Sequence, residues 1–160
     1  MSTHPFWGNV AEDWAGLGAE RRVSLPGFAQ PIQIFLGEEL FEEDEDYHIS
    51  AAQLDEYAAT FQAFEAGAPL LLADLREQAF ARYRELYAHY YEDAAASGEP
   101  PLLITTADQH LAYLQSVSML RVSDEQTVRL VIHYDLDSEH GLEAKFVNNT
   151  LTDLGGIADT

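Results

Sequence analysis

Cysteine is absent from the chain, which excludes a disulfide framework, a zinc ribbon and a thiol nucleophile. Positive charge is scarce: 8 lysines and arginines stand against 28 aspartates and glutamates, for a formal net charge of -20. A field of that sign repels phosphate backbones and attracts basic proteins, so nucleic acid is excluded as a partner and a basic protein is expected. No apolar run approaches the ~18 residues of a membrane span, and the N-terminal MSTHPFWGNV lacks the basic region and apolar core of a signal peptide. A soluble, unexported, cytoplasmic protein without a membrane partner is expected. Catalytic signatures are missing too, since neither H-E-x-x-H nor G-x-S-x-G occurs. No cofactor is expected.

Hydrophobic content of 47% with 11% aromatic places the 160 residues among ordered globular chains. A chain of that length buries roughly 70% of its unfolded surface in one core. With neither an internal repeat nor a linker, residues 1–160 are expected to form a single domain.

The first 36 residues read as short strands, Phe6 to Val10, Arg22 to Leu25 and Ile32 to Leu36, punctuated by Pro26-Gly27 and Pro31. Seven acids then fall within the nine residues Glu38 to Asp46. Such a run repels itself and reads as an exposed loop, or as an anionic docking surface that steers a basic protein. Ser50 with Gln53 forms a capping box, so a helix is predicted from about Ala51, with Leu54, Tyr57, Ala58, Phe61 and Phe64 on its buried face. Gly67 is expected to stop that helix and Pro69 to open a second, with Leu72, Leu75, Ala79, Leu86 and Tyr90 as its stripe. Together they predict a helical hairpin. Thr106 with Gln109 repeats the capping box and opens a short third helix through about Leu114.

Four β-rich segments follow, Ser116 to Val122, Thr127 to Tyr134, Leu142 to Val147 and Thr150 to Leu154, separated by turn residues. The expected fold class is α+β: an antiparallel sheet of N-terminal strands plus a C-terminal meander, with the helical hairpin and short third helix packed on one face.

Among candidate sites, Tyr134 to Phe146, YDLDSEHGLEAKF, places Asp135, Asp137 and Glu139 at positions one, three and five of a calcium loop. The glycine and glutamate that such a loop requires at six and twelve are replaced by His140 and Phe146. The segment therefore reads as a hairpin connection in which Gly141 takes a left-handed conformation. His140 reads as turn packing or an exposed recognition contact. The competing reading makes Asp135, Glu139 and His140 the centre of a hydrolase or metal-dependent enzyme. His4, His48, His89, His110 and His133 show no metal-binding spacing, so no metal is expected. Tyr83, Tyr87, Tyr90 and Tyr91 read as core and core-edge residues with hydroxyls reaching water, and Trp7 and Trp14 as locking the first strand onto the sheet.

Taken in order, FWGN, WAG, VSLPGF, ISAAQLDEY, DSEHGLEAKF and LTDLGG resemble an uncharacterised bacterial α+β domain family over almost the whole chain. The resemblance implies no enzymatic activity and the role of an immunity protein in a polymorphic toxin system, binding a co-encoded effector and blocking it. Glu42, Glu43, Asp44, Glu45, Asp46 and His140 are then the expected partner-binding residues, with Gly141 a structural turn. A non-catalytic homo-oligomeric scaffold is a third reading.

Overall fold

Alternating apolar positions make strands where one face is buried, and here eight such segments join into one sheet. The computed structural model describes residues 2–38 and 49–157. Four strands precede the helices: β1 (Ser2–His4), β2 (Gly8–Asp13), β3 (Gly16–Val23) and β4 (Ile32–Leu36). Helices α1 (Ala51–Leu86), α2 (Ala88–Tyr91), α3 (Ala94–Ser97) and α4 (Ala107–Leu111) follow, with a 3-10 turn at Ala112–Leu114. The chain then returns as β5 (Ser116–Ser123), β6 (Thr127–His133), β7 (Leu142–Val147) and β8 (Thr150–Gly155).

The strands lie in sequence order across the sheet. Every neighbouring pair is antiparallel except β4 and β5, which run parallel because the helical segment carries the chain back to the same end. The fold is thus α+β with a mostly antiparallel open sheet. Apolar residues of its central strands are buried on both faces. Ile32, Ile34 and Leu36 share a core with α1, as do Leu130 and Ile132, whereas Phe35, Met119 and Val131 form a second cluster from the alternate positions.

The helical hairpin expected from Gly67 and Pro69 is not formed, because residues 51–86 make one continuous helix with Pro69 inside it. At 1.5 Å per residue this helix is about 54 Å long. Proline removes one backbone bond and strains the preceding turn, at about 3 kcal/mol. Burial offsets that: Ala68, Leu71, Leu72 and Leu75 are all buried around the break, and a fully buried leucine contributes ~1.5–3 kcal/mol. The apolar stripe keeps its phase from Phe64 through Ala68 to Leu72, so breaking the helix would have turned half of it away from the core. The helix ends earlier than the expected stripe, leaving Leu86 and Tyr90 exposed.

Both capping boxes form. Ser50 Oγ accepts from the Gln53 amide at 3.1 Å while Gln53 Oε1 accepts from the Ser50 amide at 3.0 Å. Thr106 and Gln109 reproduce the pair at 3.1 Å in each direction. The tryptophans part company. Trp7 is fully buried and donates from Nε1 to the Leu54 carbonyl at 3.0 Å, tying the β1–β2 turn to α1. Trp14 is 64% exposed at the β2–β3 turn, with its ring edge-on to Phe35 and its Nε1 on Gln33. Among the described residues no helix is long and apolar enough to cross a membrane.

Candidate functional site

The connection from β6 to β7 is organised by Asp137. Asp-Ser-Glu-His is a sequence in which an aspartate side chain can turn back on the backbone that follows it. Asp137 Oδ1 accepts from the His140 amide at 3.2 Å and lies 2.9 Å from His140 Nδ1. The Gly141 amide donates to the Asp137 carbonyl at 2.9 Å, closing the turn. Gly141 has φ +64°, and a Cβ there would meet Ile157 Cδ1 at 2.4 Å and the Ile132 carbonyl oxygen at 3.2 Å. Only glycine satisfies both the left-handed backbone and that close approach.

The other side of the connection is held by tyrosines from the end of α1 and from α2. The Tyr87 hydroxyl donates to Asp137 Oδ2 at 2.7 Å, and the Tyr91 hydroxyl donates to the Leu136 carbonyl. Burial alone would raise the Asp137 carboxyl; the bonds from Tyr87 and His140 outweigh it and hold the group below the ordinary carboxylate value. Burial raises Tyr87, and donation to Asp137 raises it further.

A second carboxylate plays the same part nearby. Glu92 accepts from the Tyr83 hydroxyl at 2.6 Å and from the Leu103 and Ile104 amides at 2.6 and 3.0 Å. Burial works against the charge on Glu92, and these bonds prevail and lower it. Leu103, at φ +60°, is thereby fixed in a left-handed conformation. Inside this ring His110 is 1% exposed, with Nε2 2.7 Å from the Tyr134 hydroxyl and Nδ1 buried without a partner. Burial, reinforced by the nearby Arg82 charge, lowers His110 to about 4, so its imidazole is neutral at pH 7.

The residues singled out from sequence are therefore only partly brought together. His140 meets Asp137 rather than Glu139 or Asp135. Glu139 is exposed, and Asp135 lies 3.6 Å from His133 instead. Among the described residues no group of three or more histidine, aspartate or glutamate side chains is arranged to hold a metal ion. Glu42, Glu43, Asp44, Glu45 and Asp46 lie outside the described residues. The tyrosine hydroxyls at 83, 87 and 91 reach carboxylates and a carbonyl of the connections rather than water, and Tyr90 alone of the four is exposed. Sequence reasoning missed the part Asp137 plays in closing the turn, and it missed Glu92 and the His110–Tyr134 pair. Asp137 had a local signal, its position three residues before His140; the other contacts join segments distant in sequence. Chemically, the arrangement directs its polar heads toward one another and fastens two connections to the helix end.

No curated protein and no solved structure matches this chain. A family model described as a domain of unknown function matches residues 6–159. The chain belongs to that family, DUF6985.

Proposed function

We propose that the chain is a non-catalytic binding protein that neutralises a bacterial toxin or effector by direct association in the cytoplasm. The observation that carries this reading is the anionic outer face of α1. Asp55, Glu56, Glu65, Asp74, Glu77 and Glu85 are all exposed along a single rigid helix, whose basic residues are Arg76, Arg82 and Arg84. A long face with acids in excess accelerates encounter with a basic protein and orients it, and buried contacts then set the lifetime of the complex. The acidic run from Glu42 to Asp46, which lies outside the described residues, precedes that helix in sequence and adds to the net negative charge. The enzyme reading around Asp135, Glu139 and His140 is less well supported, because Asp135 pairs with His133 instead and, among the described residues, no such group is arranged to hold a metal ion.

The test is capture at low salt from the source bacterium, identification of any protein retained in near-equal amount, and expression of that protein alone and with this chain. Growth arrest by the captured protein, relieved by co-expression, is expected. A retained protein that is harmless, or none at all, overturns the reading, and a mass in solution showing self-association would favour a scaffold.

A further inference from the structure

We infer that the groove between α1 and the tips of the β5–β6 and β7–β8 hairpins takes a lysine or arginine side chain of a basic protein partner, an inference that rests on the binding-protein reading above. The groove holds about 180 Å³. That is below the ~300–1,000 Å³ of small-molecule sites and suits a single long side chain. Its floor is apolar, formed by Val128 with the rings of Phe64 and Phe146, which meet edge-to-face at 5.1 Å. Its rim is polar: Glu56 and Thr60 from α1, Gln126 from one hairpin tip, Asn148 and Asn149 from the other.

Two properties of the rim select a cation. Glu56 supplies a carboxylate, and among the described residues no basic one lines the groove. Among the described residues, the side-chain heads of Glu56, Gln126, Asn148 and Asn149 take no hydrogen bond or ion pair within the chain, so their oxygens are open to a ligand. Lysine and arginine are the side chains with an apolar stem for such a floor and a donor-only head for such a rim.

The groove is also built in advance of any ligand. The Asn148 amide donates to the Gln126 carbonyl at 3.0 Å, joining the two tips, and the Tyr57 hydroxyl donates to Asp124 at 2.7 Å, joining one tip to α1. Glu125, Gln126, Asn148 and Asn149 all have positive φ, between +48° and +62°. Asparagine tolerates that backbone, glutamate and glutamine much less, so the tip carrying Gln126 is held in a conformation its residues do not favour. A rim fixed in this way loses little freedom on binding.

The experiment titrates n-butylammonium, and in parallel n-butanol, into the nitrogen-15-labelled full chain and into Glu56→Gln. Butylammonium should shift the side-chain amide resonances of Gln126, Asn148 and Asn149 and bind more tightly than butanol. Glu56→Gln should weaken it about three- to fivefold, the range of a partly exposed ion pair, while leaving butanol unchanged. Equal binding of the two probes, indifference to Glu56→Gln, or no shift at those amides overturns the inference. In the capture experiment, Glu56→Gln should weaken retention of the partner, and unaltered retention overturns the inference as well. Failure of the butylammonium arm alongside capture of a neutralised toxin removes the groove and keeps the binding protein. Success of that arm with no toxin captured keeps the cation-selective groove and removes both the toxin-neutralising reading and the assignment of a protein side chain to it.

Discussion

Asn149, at the tip of the β7–β8 hairpin, lies against the bare backbone of Gly67 in the middle of α1. A Cβ at Gly67 would stand 2.6 Å from the Asn149 amide nitrogen and 3.3 Å from its carboxamide carbon. The glycine that interrupts the helix pattern in sequence lets the Asn149 side chain approach the helix, and Asn149 also lines the groove.

A double-mutant cycle reads that contact. Glycine inside a helix is worse than alanine by about 1 kcal/mol, so Gly67→Ala should stabilise the protein by that amount once Asn149→Gly has cleared the space. In the presence of Asn149 the gain should be cancelled. Midpoints of urea unfolding for the four proteins give the coupling, and additivity within ~0.3–0.5 kcal/mol would show that the two residues do not restrict one another.

Gly141→Ala should destabilise the fold by about 1–2 kcal/mol from the left-handed backbone alone, with the Ile157 side chain displaced in addition. Because the Ile157 amide donates to the His140 carbonyl at 2.8 Å, amide exchange at Ile157 should accelerate in the variant. Unchanged exchange there would mean the end of the chain is anchored by other contacts.

His110 makes stability depend on pH. The unfolded imidazole takes up a proton near pH 6.5, whereas the buried one resists until about 4, so the unfolded state holds more protons between those values. Stability should therefore fall as pH drops from about 7 toward 4, with a slope of at most about 1.4 kcal/mol per pH unit from this residue. His110→Phe should remove that slope, and it should lower stability at neutral pH by ~1–3 kcal/mol because the Tyr134 hydroxyl loses its partner. Urea midpoints at three pH values distinguish the two effects.

Asp137 acts in the same direction, in a lower window. Its carboxyl is held below the ordinary value, so the stability it contributes is present above about pH 4 and is lost as pH falls through the lowered value. Asp137→Asn should destabilise the protein at neutral pH by about 1–2 kcal/mol, from weakened bonds to Tyr87 and His140. The deficit should shrink in acid as the wild-type carboxyl takes up its own proton. A deficit that stays constant to pH 3 or so would show that the charge is not what matters.

The last strands and both capping boxes were legible in the sequence because their signals are local. Period-two alternation, a serine or threonine three residues before glutamine, and Asn148-Asn149 between two apolar runs each act within one turn or one hairpin. At the N-terminus the strands were legible only in part. Ser2–His4 pairs with β2 through three residues, too few to show a pattern, and the strand expected over Phe6 to Val10 is Gly8–Asp13, whose alternation is broken by a glycine start and an acidic end. Gly67 and Pro69 misled because their local preference is to end a helix, and a core spanning both sides of them prevails over that preference. Composition by itself determined the charge and the lack of thiol chemistry, and the order of periodic segments determined the α+β class. Only the tertiary structure decided that α1 is one helix and that the tyrosines of α1 and α2 are tied to loops 9 to 50 residues away. Those pairings join segments remote in sequence, and each depends on where the whole sheet places its hairpins, which no single segment encodes.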